Sequence, residues 1–556
     1  MRKRRKQHGL TVNAIAGSHV VLLGLDLDPA QCQGCLGFAI QREDHTENER
    51  AWLKGMKTFQ ATDPHLGPGG QVSSREHPFQ TFQWADYSAK PAHDYTYTVL
   101  PLYGQPAALT EGAAVAVGIR TEQEVGGRHS VFFNRGAIAS QEYARRFQNQ
   151  PPDQVGDPAY KWLSRGLLEA LLAFIARADS ADYALYGAIY EFQWPGVLAA
   201  LRAAAVAGAA VKVLYDAIPG ASGPGSKNAQ AIAAAQIEAL CIPRTTGKLM
   251  HNKFFVLVKN GRPVAVWTGS TNLTENGIFG HANCGHLVED PAIAAAYKAY
   301  WDELQGNPQA DAERAWVATN NPAPPDPWVA DTTVVFSPRQ GLRVLEWYAA
   351  IAGTLLDQAR RPLFMTFAFG MHKDFQVVYE LPDGVLRLAL MEKEGNGRGL
   401  AKGKADIRRI RALPNVIVAV ATSITTNGFD RWLEELPGLP NAHVKYIHTK
   451  YMLVDPLGPH PVVVTGSANF SEPSTDTNQE NMLIIRDDQR VADIYLGEFM
   501  RGYSHYAFRE AVALWKHTHP SVPWTPNFLL PDDTWLPPYR TLGTDRSLRR
   551  LYFAGP

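Results

Sequence analysis

A passage of 24 residues occurs twice in this chain, and this repetition constrains the fold more than any other feature. The two copies are "HNKFFVLVKNGRPVAVWTGSTNLT" at 251–274 and "HTKYMLVDPLGPHPVVVTGSANFS" at 448–471. They align without a gap at an offset of 197 positions, which pairs His251 with His448, Lys253 with Lys450, Gly269 with Gly466, Ser270 with Ser467, and Asn272 with Asn469. One constant offset for five such residues indicates duplication followed by divergence, so we predict two similar halves.

Each half alternates strand-like and helix-like segments. In the first half they are a helix at 163–178, a strand at 183–192, a helix at 194–209 and a strand at 211–218; in the second they are a helix at 342–361 and strands at 362–370, 385–392 and 415–422. Such alternation predicts a largely parallel sheet covered by helices. We therefore expect a first lobe (residues 159–319) and a second lobe (residues 329–515), both α/β. The proline-rich segment "NNPAPPDPW" (320–328) is the predicted linker between them.

The segments outside the two lobes have different patterns. Residues 10–122 contain short runs rich in β-branched and aromatic residues, and their order resembles a fibronectin type III or immunoglobulin-like β-sandwich. We expect this β-sandwich domain to be structural or to recognise a protein or the substrate. Residues 516–556 are rich in proline and tryptophan, and we predict an irregular tail that packs on the second lobe.

Composition limits the classes of protein. Lys+Arg 54 balances Asp+Glu 54, so the whole chain has no net field that would attract nucleic acid or anionic lipid. The basic start, "MRKRRK", is interpreted as disordered. The sequence contains no run of about 18 apolar residues, which a membrane span would require, and no cleavable signal sequence is recognised. We therefore expect a cytoplasmic protein. The two similar halves predict a monomer with an internal pseudo-dimer. Four cysteines are too few for a disulfide framework, and Cys32 and Cys35 are interpreted as loop thiols without zinc.

The repeated passage combines groups that bind and attack phosphate. Residues two apart on a strand project to the same side, so His448 and Lys450 point together, and the returning strand ends at Ser467 and Asn469. Lysine, serine and asparagine can donate hydrogen bonds to phosphate oxygens, while histidine can be a nucleophile or a general acid. Asp455 follows the strand and is either part of the site or the residue that holds a turn.

Two such sets that face each other could carry out a complete reaction. One histidine attacks phosphorus, the other protonates the departing alkoxide, and water activated by the second histidine releases the phosphohistidine. The two lysines neutralise charge that Mg²⁺ neutralises in other phosphoryl transfer enzymes, so we expect neither a metal nor a cofactor.

His448-x-Lys450-x₄-Asp455, followed by Gly466-Ser467-x-Asn469, matches the HKD motif, and the chain resembles the phospholipase D superfamily over residues 160–515. Further along, Asn478-Gln479-Glu480 fits the Asn-x-Glu element of that family, whose carboxylate usually orients the motif histidine. The resemblance implies a pseudo-twofold pair of α/β/α lobes with one active site at their seam. It also implies catalytic roles for His251, Lys253, His448, Lys450, Asp455 and Glu480, and phosphate binding by Ser270, Asn272, Ser467 and Asn469.

The first copy departs from the motif at two positions. Val258 stands at the aspartate position, and matching Asn283-Cys284-Gly285 to the Asn-x-Glu element puts Gly285 at the glutamate position. His251 then needs another carboxylate, for which Glu289 and Asp290 are candidates. The identity of the nucleophile stays open. In two-copy members of the family the first-copy histidine is usually the nucleophile, which favours His251, whereas orientation by Glu480 favours His448.

Three functions are compatible with this pattern. Phospholipid hydrolysis or head-group exchange fits the two-copy architecture best, nucleic-acid cleavage is the alternative, and an inactive phosphate-binding scaffold is the third. Glu191, His372 and Lys373 follow strands and either line the cleft or cap the next helix. Arg339 is a further phosphate candidate, although a surface position is the competing interpretation.

Overall fold

The computed structural model describes residues 1–67, 69–219, 223–322, 331–341, 343–353, 361–395, 399–421, 446–519 and 524–555. Among the predicted helices, strands, linker and tail, four therefore lie partly outside the described residues: the linker at 320–328, the helix at 342–361, the strand at 415–422 and the tail at 516–556. None of the helices in the described part of the chain combines the length and the apolar content that crossing a bilayer requires.

The N-terminal region consists of antiparallel strands in two larger sheets and one two-stranded sheet. The strands are β1 (Arg2–Gln7), β2 (Leu10–Ala16), β3 (Val21–Leu27), β4 (Gly37–Asp44), β5 (Glu49–Trp52), β6 (Lys54–Gly55), β7 (Val72–Ser73), β8 (Gln83–Asp86), β9 (Asp94–Gln105), β10 (Ala108–Glu111) and β11 (Val115–Arg120). One larger sheet has the order β1-β2-β3-β8, in the other β9 pairs with β4, β10 and β11, and the two-stranded sheet is β6-β7. Leu23, Tyr97 and Val115 from both larger sheets meet in one core. The fibronectin-like or immunoglobulin-like connectivity stays a prediction.

The basic start of the chain is ordered, so the prediction of disorder there is wrong. Strand β1 pairs with β2 along its whole length, from Arg2 opposite Ile15 to Gln7 opposite Leu10. The guanidinium of Arg2 lies 2.8 Å from a carboxylate oxygen of Asp493, which is fully buried in the second lobe. Backbone pairing and this ion pair together hold a sequence whose charge alone suggested a solvated segment.

The first lobe is built on one mixed sheet. Its strands are β12 (His129–Phe133), β13 (Tyr183–Ile189), β14 (Ala210–Asp216), β15 (Cys241–Arg244), β16 (Lys253–Lys259), β17 (Arg262–Gly269) and β18 (Cys284–Val288), in the order β12-β18-β17-β16-β13-β14-β15. Its helices are α1 (Ser140–Phe147), α2 (Pro152–Val155), α3 (Asp157–Ser164), α4 (Leu167–Ile175), α5 (Pro195–Val206), α6 (Gly225–Ala235), α7 (Pro291–Gln305) and α8 (Ala310–Asn320). The predicted boundary at residue 159 is too late, because β12 pairs with β18.

The sheet of the second lobe repeats this topology. Its strands are β19 (Thr332–Ser337), β20 (Leu363–Phe367), β21 (Arg387–Met391), β22 (Val416–Val420), β23 (Tyr451–Val454), β24 (Val462–Gly466) and β25 (Glu480–Arg486), and its helices are α9 (Arg343–Gly353), α10 (Lys373–Tyr379), α11 (Leu400–Arg411), α12 (Glu472–Asp476) and α13 (Gln489–Thr518). The order β19-β25-β24-β23-β20-β21-β22 is that of the first sheet with each strand replaced by its counterpart. Both sheets are mixed, so the prediction of a largely parallel sheet is wrong: β13, β14 and β15 are parallel, as are β20, β21 and β22, and the remaining pairings are antiparallel because hairpins supply the other strands.

The central hairpins of the two lobes differ in their turns. Asn260 (φ 48°) and Gly261 (φ 73°) join β16 to β17, and two consecutive left-handed residues of this type favour a tight hairpin. In the second lobe β23 ends at Val454, and Asp455 adopts φ 42° at the start of a longer turn. Aspartate tolerates this conformation, whereas valine does not. The Val258 and Asp455 difference therefore follows from turn geometry.

The C-terminal segment packs against the N-terminal sheets as well as the second lobe, and it is partly helical. It contains α14 (Pro537–Arg540) and α15 (Asp545–Ala554). Trp535 is buried in the core of the N-terminal domain and donates from Nε1 to the carbonyl of Cys35 at 2.8 Å. A Cβ on Gly24 of β3 would overlap the carbonyl of Phe553, so a glycine permits this close contact. The prediction of an irregular tail on the second lobe alone is wrong.

A buried ion cluster joins the two lobes. Glu498 of α13 lies 2.7 Å from Arg165 of the first lobe and accepts from Nε of Arg501 at 2.8 Å. Arg501 also donates to the carbonyl of Asn134 at 2.9 Å. Burial alone would raise the pKa of Glu498, but the two guanidinium groups outweigh it and lower the pKa to about 2.

We expect Glu498→Gln to lower the free energy of unfolding by about 3–5 kcal/mol at pH 7, because it leaves two buried guanidinium groups without their counter-charge. The folded-state pKa lies below the ordinary value of 4.5, so this contribution is present above pH 4.5 and is lost as the pH falls towards 2. Thermal and urea unfolding at pH 7 and pH 3 should show the difference between wild type and variant narrowing at the lower pH.

Glu510→Gln is the matched control, since it removes a partly exposed carboxylate of the same helix that pairs with Arg411. Its effect should be at most about 1 kcal/mol. Equal effects of the two substitutions, or a Glu498→Gln effect that does not depend on pH, would contradict the assignment.

Candidate active site

The two histidine–lysine pairs lie at the same edge of their sheets. His251 and Lys253 stand where β16 begins, with Lys253 opposite Ile189 at the end of β13. His448 and Lys450 immediately precede β23, which runs antiparallel to β20. Ligands commonly bind at the carboxyl ends of parallel strands in such sheets. Each lysine is held by its own histidine: Nζ of Lys253 donates to the carbonyl of His251 at 2.6 Å, and Nζ of Lys450 to that of His448 at 2.5 Å.

The two pairs face each other across the seam between the lobes. The ring centroids of His251 and His448 are 6.4 Å apart, and the ring planes are inclined by 80°. The backbone N–H of each histidine donates to the other lobe, that of His251 to the carbonyl of Gln479 at 3.0 Å and that of His448 to the carbonyl of Ala282 at 3.1 Å. The two histidines are therefore fixed relative to each other by main-chain hydrogen bonds.

The imidazole rings have different partners, and both partners come from the opposite lobe. Nδ1 of His251 lies 2.8 Å from Oε2 of Glu480. Nδ1 of His448 lies 3.0 Å from Oδ1 of Asn283, and the amide nitrogen of Asn283 donates to the carbonyl of Gly277 at 2.8 Å. Because Glu480 and Asn283 Oδ1 are acceptors, both histidines carry their proton on Nδ1 and direct Nε2 away from these partners.

The position equivalent to Glu480 is Asn283, which corrects the assignment of Gly285 to it. Gly269 pairs with Gly285 in the first sheet and Gly466 pairs with Met482 in the second, so the offset of 197 continues into β18 and β25. This offset makes Asn283 the residue equivalent to Glu480. The pairing of Glu480 with His251 also removes the expectation that this carboxylate orients His448.

The two predicted substitutes for a first-copy carboxylate have other partners. Glu289 lies 2.6 Å from Arg177, and Asp290 caps helix α7 through the N–H groups of Ala292 and Ile293. His251 needs neither of them, because the second lobe supplies Glu480.

The two motif serines lie behind the histidine partners and do not face the space between the rings. Oγ of Ser270 donates to Oδ1 of Asn283 at 2.8 Å, and Oγ of Ser467 donates to Oε2 of Glu480 at 2.7 Å. Both serines are fully buried, and a hydroxyl has one proton to donate. Their geometry fits orientation of Asn283 and Glu480, which differs from the predicted phosphate binding.

The two motif asparagines have unlike surroundings. Nδ2 of Asn272 donates to Oε2 of Glu191 at 2.5 Å. The amide nitrogen of Asn469 makes no hydrogen bond to the described residues, so its N–H groups stay available for a bound anion. The predicted phosphate-binding role therefore fits Asn469 more directly than Asn272.

Asp455 does not join the other candidates. It lies at the far end of β23 from Lys450, and five residues of strand span roughly 16 Å. Its carbonyl accepts from the N–H of Gly458 at 2.9 Å, and its carboxylate accepts from the hydroxyl of Tyr552 at 3.3 Å. The turn interpretation of Asp455 fits this environment, and a direct catalytic contact does not.

Burial governs the titration of the site. It lowers the pKa of His251 to about 4 and that of Lys253 to about 8, with Glu480 acting in the opposite direction on both. Burial also lowers the pKa values of His448 and Lys450 well below their ordinary values, and the neighbouring ammonium groups add to this. Cations that depress each other's pKa in a buried site are stabilised by a bound anion.

Several other candidates have structural partners. Nδ1 of His372 accepts from the N–H of Asp374 and caps α10, and Arg339 donates to the carbonyls of Phe336 and Asn321. In the described part of the chain, histidine, cysteine and carboxylate side chains do not form groups of three or more that could hold a metal ion. Sequence reasoning missed Asn283, although the constant offset could have identified it.

Comparison with known proteins places these observations in a family. A family model described as "Cardiolipin synthase, PLD-like domain" matches residues 174–305 and 419–502, which include both histidine–lysine pairs. No curated protein matches the chain.

Solved structures show low overall similarity. Phosphatidylserine synthase from Haemophilus influenzae is 14% identical, with 64% of this chain and 92% of that chain covered and a TM-score of 0.43. Nuc, a phospholipase D family member from Salmonella typhimurium, is 20% identical, with 31% of this chain and 94% of that chain covered and a TM-score of 0.22. Polyphosphate kinase from Porphyromonas gingivalis is 13% identical, with a TM-score of 0.36; 58% of this chain is covered, and the match spans 46% of the kinase.

The matched segments contain both copies of the repeated passage, so the two lobes carry a phospholipase D-like domain.

Proposed function

We propose that this protein cleaves or transfers phosphodiesters through a covalent phosphohistidine, with His251 as the nucleophile and His448 as general acid and base. The observation that carries the proposal is the inequality of the two histidine partners. His251 is held by the carboxylate of Glu480, whereas His448 is held by the neutral amide of Asn283.

A carboxylate suits a histidine that becomes positively charged during the reaction. When Nε2 of His251 attacks phosphorus, the imidazole acquires positive charge, and Glu480 stabilises it through Nδ1–H. An amide oxygen orients the ring of His448 without adding a negative charge. The imidazolium of His448 therefore transfers its proton more readily, which is the property required of a general acid.

Each of the two steps pairs the formation of one bond to phosphorus with the breaking of another. The lone pair on Nε2 of His251 forms the P–N bond, the P–O bond to the leaving alcohol breaks, and His448 supplies the proton to that oxygen. Water or a second alcohol then gives its proton to His448 and attacks phosphorus, and the P–N bond electrons return to His251. Lys253, Lys450 and Asn469 are positioned to donate to the non-bridging phosphate oxygens.

We propose a phospholipid as the substrate. The family model that matches is described for cardiolipin synthase, and this supports a phospholipid before a nucleic acid. With two ammonium groups at the phosphate, the reaction is expected to proceed without a divalent metal.

The substrate class can be tested with purified protein in EDTA. Phosphatidylglycerol and phosphatidylcholine in mixed micelles should be hydrolysed, or should exchange their head groups with an added alcohol. Single-stranded and double-stranded DNA should stay intact under the same conditions. Cleavage of DNA without turnover of lipid would contradict the phospholipid proposal, and silence with all of them and with bis-p-nitrophenyl phosphate would support an inactive scaffold.

We expect His251→Ala and His448→Ala each to lower turnover of a phospholipid by about 10²–10⁴-fold or more, because each removes one of two coupled roles. With bis-p-nitrophenyl phosphate the two variants should differ. p-Nitrophenolate leaves with little protonation, so His448→Ala should still release a burst of one equivalent per enzyme and accumulate phosphoenzyme. His251→Ala should give neither.

The control is His460→Ala, which removes an exposed histidine of the second lobe. It should retain the turnover of wild type. A burst in His251→Ala and none in His448→Ala would exchange the assigned roles, and wild-type turnover in either variant would exclude the shared site.

The pH dependence of kcat/KM provides a separate test. In the unliganded site the pKa of His251 is about 4 and that of His448 is well below its ordinary value of 6.5, both chiefly through burial. The bell-shaped profile of the free enzyme should therefore have its maximum below pH 6.5. Because Glu480 raises the pKa of His251, Glu480→Gln should lower the rate and move the acidic limb to lower pH. A maximum above pH 7 would contradict these pKa shifts.

A further inference from the structure

In the first lobe, a buried carboxylate binds the main chain immediately before His251. Asp216 is the last residue of β14 and is buried. Its Oδ2 accepts from the N–H of Met250 at 2.9 Å, and its Oδ1 accepts from the N–H of Ile218 at 3.3 Å. Met250 is the residue before His251. Asp216 therefore acts on the segment of main chain that leads into the motif histidine.

The second lobe repeats this contact with a glutamate. Glu392 immediately follows β21 and is buried. Its Oε2 accepts from the N–H of Ile447 at 2.8 Å and from the N–H of Tyr446 at 3.2 Å. Ile447 is the residue before His448, so each motif histidine follows a peptide group that is bound by a carboxylate of its own lobe.

The two carboxylates occupy equivalent places in the two sheets. Each stands at the carboxyl end of a strand that pairs in parallel with its neighbour, β14 with β13 in the first lobe and β21 with β20 in the second. Asp216 precedes its histidine by 35 residues and Glu392 precedes its histidine by 56, so the offset of 197 does not relate them. The contact has been kept although the side chain and the length of the intervening chain have both changed. This retention favours a role in the site.

Each histidine is held through two successive N–H groups. The N–H of His251 donates to a carbonyl of the second lobe at 3.0 Å, and the N–H before it donates to Asp216 at 2.9 Å. The N–H of His448 donates to a carbonyl of the first lobe at 3.1 Å, and the N–H before it donates to Glu392 at 2.8 Å. Two consecutive anchored N–H groups fix the peptide that enters the histidine, and with it the direction of the imidazole.

The charge of the carboxylate contributes in two ways. A hydrogen bond from an N–H to an ionised carboxylate is stronger than one to a neutral carbonyl, so the anchoring peptide is held tightly. Burial lowers the pKa of Lys253 to about 8, and Asp216 acts against this together with Glu480 and Glu191. Replacing Asp216 by asparagine would keep an acceptor oxygen and remove the charge, which separates the two contributions.

We propose that Asp216 and Glu392 are positioning residues, Asp216 directing His251 for attack on phosphorus and Glu392 directing His448 for proton transfer. This inference rests on the proposed phosphohistidine reaction, which assigns the two histidines to different steps. The competing explanation is that both carboxylates only satisfy buried N–H groups and stabilise the fold.

The two steps can be measured separately with bis-p-nitrophenyl phosphate. Release of p-nitrophenolate in a single turnover, with enzyme in excess, reports the attack by His251, and the steady-state rate also includes cleavage of the P–N bond. Asp216→Ala should slow the single turnover by about 10–100-fold and change its half-saturating concentration by at most about twofold, because a misdirected nucleophile attacks slowly without binding less substrate. Asp216→Asn keeps an acceptor and should recover the single-turnover rate to within about fivefold of wild type.

Glu392→Ala should affect the other step. Its single turnover should stay within about threefold of wild type, because p-nitrophenolate leaves with little protonation, whereas its steady-state rate should fall by about 10–100-fold. Asp290→Ala is the matched control, since Asp290 also accepts from two backbone N–H groups of the first lobe, at the start of α7. It should lower the melting temperature and slow neither step.

Two outcomes would overturn the proposal and favour a purely structural role: wild-type rates in both alanine variants, or slowing of the same step by both. If an alanine variant does not fold, Asp216→Glu and Glu392→Asp retain a buried carboxylate and displace its oxygens by one methylene group. These variants should slow the same respective steps at least about fivefold, and the absence of any slowing would equally overturn the proposal.

If wild type gives neither a single turnover nor steady-state release, the proposed reaction fails, and nuclear magnetic resonance decides about positioning separately. In protein labelled with ¹⁵N-histidine, the Nδ1–H signals of His251 and His448 are assigned with His251→Ala and His448→Ala. Asp216→Ala should shift the His251 signal by more than Asp216→Asn does and leave the His448 signal in place, and Glu392→Ala should do the reverse. Unshifted signals in both alanine variants would overturn the inference independently of turnover.

Discussion

The site depends on an exchange of hydrogen-bond partners between the two copies of the repeat. His251 is held by Glu480 and by the carbonyl of Gln479, and both belong to the second lobe. His448 is held by Asn283 and by the carbonyl of Ala282, both from the first lobe. Neither lobe therefore contains a complete site, and the geometry of each imidazole is a property of the interface.

This dependence explains why charged residues are buried where the lobes meet. Arg165 and Arg501 surround Glu498 at one point of the seam, and the fully buried Arg244 lies 3.1 Å from Glu313 at another. Gln479 connects the second cluster to the site, because its side chain donates to Glu313 at 2.7 Å and its carbonyl binds the N–H of His251. Buried ion pairs are often weak contributors to stability, but their directionality fixes one arrangement of the packed elements.

The sequence predicted the parts of the site that are local in the chain. The constant offset identified both histidine–lysine pairs and both asparagines, and the helix–strand alternation predicted two α/β lobes, because these patterns arise from neighbouring residues. The partner of each histidine comes from more than 160 positions away, a distance over which periodicity carries no information. Assignment by a short motif placed Gly285 at the glutamate position, whereas strand register places Asn283 there. The ordered basic strand β1 was missed for a similar reason, since its contact with Asp493 is formed only in the folded chain.

The differences between the two copies fall into two physical classes. The Val258 and Asp455 difference lies at the far end of the hairpins and accompanies a change from a two-residue turn to a longer one. The Asn283 and Glu480 difference lies against the histidines. The histidines and lysines themselves are unchanged. Because an amide and a carboxylate stabilise different protonation states of the imidazole they orient, this change of partner alone accounts for the two different roles that we propose for the two histidines.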